Sequence, residues 1–237
     1  MKDNFVHLHA HSEYSFLDGM SRVSEMVKKV KELGQSALAI TDHGNMGSVP
    51  EFYSICREND IKPIIGQEFY IVEDGKDKNK DIPNSHIVLL ALNHRGYNTL
   101  CELSSAASEM FYRRPRIDHE LLRYMSKEMK NIVALTSCFS GELPSAILKK
   151  DMSQVKKIIS FYRYIFPNLF IELMRHRLPN SIANDNEREV SFSVGEVFVN
   201  KSLVKISDRY NVPLLITNDS HYINRKDERF HEYLLAI

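Results

Sequence analysis

Short apolar, β-branched runs alternate with amphipathic stretches along this 237-residue chain. The strand candidates are Phe5–Ala10, Ser36–Thr41, Pro63–Val72, His86–Leu92, Asn131–Ser137, Leu169–Met174 and Val212–Asn218. Helical patterns lie between them at Ser21–Leu33, Val49–Asn59, Tyr97–Phe111, Ser140–Lys149, Val155–Phe166 and Glu196–Tyr210. Strands that alternate with helices build βα units and a mostly parallel sheet. Seven strands in this length predict one α/β domain over residues 1–237, curled into a barrel; such barrels form single units at about 250 residues.

Local signals support the parse. Ser21, followed by Ser24-Glu25, is expected to open the first helix, and Gly34 to end it. Asp151 is expected to cap a helix that stops before Pro167. Two stretches read as loops: the Lys/Asp-rich Glu73–Ser85, and an insertion at about 176–195, rich in Asn, Ser and Arg. Within the second, Arg188–Val194 alternates enough to form a short hairpin arm.

The first strand, Phe5-Val-His-Leu-His-Ala-His-Ser12, carries imidazoles at every second position. A strand's side-chain period of two puts His7, His9 and His11 on one face. Neutral imidazole suits zinc, iron, copper and nickel. The same chemistry returns after later strands: His43 in Thr41-Asp42-His43-Gly44, Glu68 after Gly66-Gln67, Cys138 in Thr136-Ser137-Cys138, and Asp219 and His221 in Thr217-Asn-Asp-Ser-His-Tyr222. Asp18 lies just past the first strand, and His86 opens the fourth, where it is less well placed. Turn chemistry is the plainer reading of Asp18, and a local hydrogen-bond acceptor that of Asp42. In a barrel the C-terminal strand ends meet on one face. Ligand types gathered there exceed what one tetrahedral ion uses, so more than one metal is expected. Cys56 and Cys101 fall in helical apolar patterns and read as core.

Composition sets outer bounds. The formal net charge is +0, from 31 basic and 31 acidic side chains, which argues against a protein that coats nucleic acid but allows a local phosphate site. No apolar run approaches the roughly 20 residues of a membrane helix, so no membrane association is expected. Three cysteines suggest no disulfide framework, and Met-Lys-Asp-Asn leads straight into a strand without a signal peptide. A reducing, cytoplasmic setting is the expectation.

The motifs His7-Leu-His-Ala-His-Ser-Glu-Tyr-Ser15, Ile40-Thr-Asp-His-Gly-Asn-Met46, Ile64-Ile-Gly-Gln-Glu68, Thr136-Ser-Cys-Phe-Ser-Gly-Glu142 and Thr217-Asn-Asp-Ser-His-Tyr222 resemble those of the polymerase-and-histidinol-phosphatase (PHP) family. The resemblance covers essentially the whole chain and is nearest to the family's branch in bacterial replicative DNA polymerases. Phe111-Tyr-Arg-Arg-Pro-Arg-Ile-Asp118 and His231-Glu-Tyr-Leu-Leu-Ala-Ile237 read the same way. It implies a distorted seven-stranded (β/α)7 TIM-like barrel holding three divalent metal ions (zinc, manganese or iron). The implied ligands are His9, His11, Glu68 and Asp219 for one ion, Glu68, His86 and Cys138 for a second, and Asp18, His43 and His221 for a third. His7, one rung deeper, is expected to support them or join the core.

The function so implied is metal-dependent phosphoester hydrolysis, as a 3′–5′ proofreading exonuclease. Clustered divalent ions lower the pKa of bound water and neutralise developing charge. The candidate catalytic side chains are His9, Glu68, Asp219 and Asp42. Arg175 and His176 are candidate phosphate contacts, and Arg113, Arg114 and Arg116 could meet a DNA backbone. The long loop after the sixth strand is expected to flank the site. The partners expected are a DNA 3′ end or another phosphoester, the rest of a polymerase, and other replication proteins. The alternatives are a small-molecule phosphatase resembling histidinol phosphatase, and a non-catalytic docking module.

Overall fold

The first predicted strand is the one the fold treats differently. A computed structural model describes residues 5–79, 84–175 and 187–237, with the backbone alone over 187–194. Phe5–Ala10 forms no ladder; it is an extended segment joined by single bridges, His7 to Leu38 and Ala10 to Ser220. The reason is a substituted hydrogen bond: Ala10 N donates to Thr41 Oγ1 at 2.9 Å rather than to a backbone carbonyl. The chain also bends at Leu8 and His9, so the period of two fails there. His7 turns away to a pocket beside Lys29 and Leu33, its ring edge-on to Phe5 at 4.9 Å.

The remaining apolar runs become strands close to their expected limits: β1 (Ala37–Ile40), β2 (Lys62–Val72), β3 (Ser85–Ala91), β5 (Ile132–Leu135), β6 (Asn168–Met174) and β7 (Leu214–Thr217). A short strand that the pattern did not predict, β4 (Arg116–Asp118), completes a seven-stranded sheet curled toward a barrel. Its order is β1-β2-β3-β5-β6-β7, with β4 paired to the far end of β2. The seam between β1 and the segment after β7 is bridged by the extended N-terminal segment, through Ala39 N to His7 O at 2.8 Å and His11 N to Ser220 O at 2.8 Å. The sheet is not uniformly parallel. β3 runs antiparallel to both β2 and β5, while β1–β2, β5–β6 and β6–β7 are parallel. Reversal of β3 brings its beginning, and so His86, to the face where its neighbours end.

Helices α1 (Val23–Glu32), α2 (Val49–Glu58), α3 (His94–Glu109), α5 (Glu142–Leu148) and α6 (Met152–Ile165) match expected patterns. α4 (His119–Tyr124) and α8 (Glu228–Leu235) were not anticipated. Ser21 does not cap α1; Glu13 Oε2 accepts from Val23 N at 3.0 Å from across the loop. Gly34 follows that helix at φ +71, a conformation that glycine adopts without steric cost. Asp151 caps α6 through Gln154 N at 2.9 Å, as expected. α7 runs unbroken over Glu187–Tyr210, which overturns the hairpin arm at Arg188–Val194. Val190, Val194 and Val197 also satisfy the i, i+4, i+7 spacing, and continuity with the following helical turns decides for the helix.

The largest apolar cluster packs α3, α5, α6 and α7 on the sheet around Phe69, Leu89, Leu103, Ile159 and Tyr162. A second seats α1 and α2 on β1 through Val27, Phe52 and Cys56, the last fully buried as expected. Each such aliphatic or aromatic side chain contributes about 1.5–3 kcal/mol on burial. No described helix is long and apolar enough to cross a membrane.

Candidate metal centre

Strand ends and loops bring eight candidate donor side chains around Glu68, which lies inside β2 rather than after it, because that strand runs on to Val72. Glu68 lies at the middle. Its Oε1 approaches His9 Nε2 and His86 Nδ1, each at 3.3 Å, and its Oε2 lies 2.6 Å from His43 Nδ1 and 3.7 Å from His11 Nε2. Ser137 Oγ donates to Glu68 Oε1 at 2.5 Å.

Three overlapping donor sets surround this carboxylate. In the first, Asp219 Oδ1 stands 3.2 Å from His9 Nε2 and 3.1 Å from His11 Nε2. In the second, Cys138 Sγ lies 3.9 Å from His86 Nδ1, on the side of Glu68 Oε1. In the third, Asp18 Oδ2 is 3.1 Å from His43 Nε2, and His221 Nε2 is 3.4 Å from that same nitrogen. His11 touches both the first and third sets, its ring stacked on His43 at 4.1 Å and on His221 at 4.3 Å.

The donors fit cations. Two ligands at about 2.0–2.1 Å from one tetrahedral ion stand roughly 3.3 Å apart, the spacing found within these sets. His9 Nε2, His11 Nε2, His43 Nδ1, Glu68 Oε2 and Asp219 Oδ1 are buried and face one another rather than ordinary hydrogen-bond partners. Buried groups of this kind need charge compensation.

Without a cation, protons take that role. Burial alone would lower His43's pKa, but Glu68 and Asp18 outweigh it and raise it to about 10. His9 is likewise opposed by burial and held well above its usual value by Asp219, Glu172 and Glu68. His11 goes the other way, lowered to about 4 by burial and by His43. Burial would raise Glu68, yet His86, His9 and His43 hold it far below the usual carboxylate range. Burial, with Glu68 and Asp219 nearby, pushes the Cys138 thiol far up.

Surrounding residues fix the candidate ligands. Glu172, on β6, accepts from His9 Nδ1 at 2.8 Å, which leaves Nε2 facing the cluster; Thr217 Oγ1 donates to the same Glu172 oxygen. His221 Nδ1 donates to Asp219 O at 2.9 Å, with the same effect on its Nε2. Asp42 is buried and stands behind the ligands. Its carboxylate accepts from Ser12 N and from the hydroxyls of Ser12, Ser15 and Ser48, and Ser15 Oγ in turn lies 2.9 Å from His11 Nδ1. Asp219 and Ser137 sit at φ +49 and +63, left-handed conformations that non-glycine residues adopt where surrounding structure demands it.

The other candidates are dispersed. Arg116 is only 2% exposed and donates to Gly75 O at 2.9 Å and Asp77 O at 2.6 Å, which removes it from any DNA backbone. Arg114 is exposed, its guanidinium 5.6 Å over the Tyr70 ring, which adjoins His86 at 5.1 Å and His43 at 6.0 Å. Arg175 is exposed just past β6. His176 and the loop to residue 186 lie outside the described residues. Sequence reasoning missed Glu172, whose signal was a carboxylate inside the apolar run Leu169–Met174. It also missed His231, whose Nε2 is 3.2 Å from Asp18 Oδ1. The centre opens into a cleft of about 490 Å³ lined by Cys138, Phe139, Asn218, His221, Tyr222 and His231.

The PHP domain family model matches residues 7–176, and the chain belongs to that family. Solved structures with this fold include a candidate metal-dependent phosphoesterase from Bifidobacterium adolescentis, with a TM-score of 0.54 at 12% identity over 92% of this chain and 88% of that one. Another is a two-domain protein from Bacteroides vulgatus containing a PHP-like metal-dependent phosphoesterase prediction, with a TM-score of 0.54 at 13% identity over 96% of this chain and 55% of that one. Among curated proteins, the chain is 35% identical to the DNA polymerase III subunit alpha of Borreliella burgdorferi over 100% of its length and 20% of that protein's. It is 37% identical to the same subunit of Chlamydia pneumoniae, over 98% of this chain and 19% of that one. The chain thus spans about a fifth of these relatives.

Proposed function

We propose that this domain is a metal-dependent phosphoesterase acting as a 3′–5′ exonuclease on DNA ends, within a cytoplasmic replicative DNA polymerase. The observation that supports the reading is Glu68, a buried carboxylate whose two oxygens face the four imidazoles of His9, His11, His43 and His86. His9, His11, Glu68 and Asp219 would hold one ion, Glu68, His86 and Cys138 a second, and Asp18, His43 and His221 a third. When bound, divalent zinc, manganese or iron supplies Lewis acidity that activates water and offsets charge on phosphoryl oxygens. The mixed His, carboxylate and thiol set admits each of these, with Cys138 leaning toward zinc or iron.

The chain's own residues supply the rest. Glu172 keeps the His9 ring in register, and Asp42, through Ser15, does the same for His11. Arg114, exposed and stacked over Tyr70, puts a positive charge on the ring that adjoins His86 and His43, where it can meet a DNA phosphate leading into the site. Tyr222 and Phe139 give the cleft aromatic surface on which a terminal base can stack.

The test uses one purified, metal-supplemented sample. Elemental analysis is expected to find three ions per chain, and a 3′-labelled primer should be shortened faster than a phosphate monoester is cleaved. Monoester cleavage without DNA shortening would move the reading to a small-molecule phosphatase. A folded, metal-loaded protein inactive on both would make the domain a docking module.

A further inference from the structure

We infer that His231 is a positioning residue of the third metal set: it holds Asp18 Oδ1, on the side of His221, so that Oδ2 stays aimed at His43. The inference rests on the three-ion reading proposed above. Asp18 sits in the loop after the N-terminal segment, partly exposed at 33%, with no strand to fix its direction. Its two oxygens divide their contacts. Oδ2 faces His43 Nε2 at 3.1 Å, whereas Oδ1 faces His231 Nε2 at 3.2 Å and His221 Nε2 at 3.6 Å.

Hydrogen bonds of this sort fix the orientation of ligating carboxylates, and losing one typically weakens metal binding 10–100-fold. His231 is well placed to supply one. It projects from α8, 213 positions along the chain from Asp18, and its ring packs 5.5 Å from both His221 and Tyr222. α8 has no buried residue, and Phe230, Tyr233 and Leu235 are exposed. Substitution of His231 therefore removes a contact with the site while leaving the apolar clusters whole. Because α8 meets the barrel here, the same hydrogen bond ties that helix to the loading of the third set.

The experiment titrates metal-stripped protein with zinc in competition with a chromophoric chelator, comparing wild type with His231→Ala, His231→Phe and His231→Gln. Thermal unfolding confirms that each variant is folded. The first two affinities should match wild type in every variant. The third should fall about 10–100-fold in His231→Ala and His231→Phe. His231→Gln keeps a donor at nearly the same place and should stay within about threefold of wild type. An unchanged third affinity in His231→Ala would overturn the inference. A loss in His231→Gln equal to that in His231→Ala would also overturn it, by making the imidazole a direct ligand. If wild type itself takes up fewer than three ions, the three-ion reading fails, and this inference with it.

Discussion

Glu172 Oε1 lies 2.8 Å from His9 Nδ1, with both side chains buried between β6 and the N-terminal segment. The pair joins positions 163 residues apart and sets which His9 nitrogen is free for a cation. A carboxylate behind a ligating imidazole also raises that imidazole's basicity.

Glu172→Gln keeps the volume and an acceptor oxygen but removes the charge. Zinc affinity of the first donor set should fall about 10–100-fold, with the other two sets less affected. Chelator-competition titration measures it; an unchanged first affinity would make the carboxylate's charge irrelevant to binding.

Asp219→Asn removes a ligand charge while suiting the local backbone, since Asn tolerates the left-handed conformation at φ +49. Hydrolysis should fall by at least about 100-fold, the scale of losing one charge-stabilising group. The melting temperature should stay within about 5 °C of wild type. Full-rate hydrolysis by the variant would show that the first donor set takes no part in the chemistry.

Metal binding should release protons at pH 8. His43, raised to about 10, carries a proton there without metal, and burial keeps the Cys138 thiol protonated. Each must lose it to ligate, so affinity should climb as pH rises from 7 toward 10. Calorimetry in two buffers of different ionisation enthalpy counts the protons. Zero release would contradict the charge balance described for the cluster.

Arg114→Ala should raise KM for DNA ends about tenfold, the cost of one charge-assisted contact to phosphate, and leave small phosphoesters unaffected. Steady-state kinetics on both substrates decides it. Equal losses on the two would place Arg114 in the general stability of the site rather than at the DNA strand.

Much of this protein was legible in local patterns. Alternation of apolar runs and amphipathic stretches located six of the seven sheet strands, because burial on a sheet or helix face imposes its period on the chain. The candidate ligands His9, His11, His43, Cys138, Asp219 and His221 were visible as polar residues at predicted strand ends. What the sequence could not show was direction and long-range proximity. His86 looked misplaced at the start of its strand until the antiparallel course of β3 brought that end to the site. Arg116 and Arg114 are equivalent in sequence, yet Arg116 turns inward to two backbone carbonyls and Arg114 outward onto Tyr70. Glu172 and His231 reach the centre from 163 and 213 residues away from their partners. Periodicity records which face a residue occupies on its own element; which elements meet, and in which sense they run, is set by packing across the whole chain.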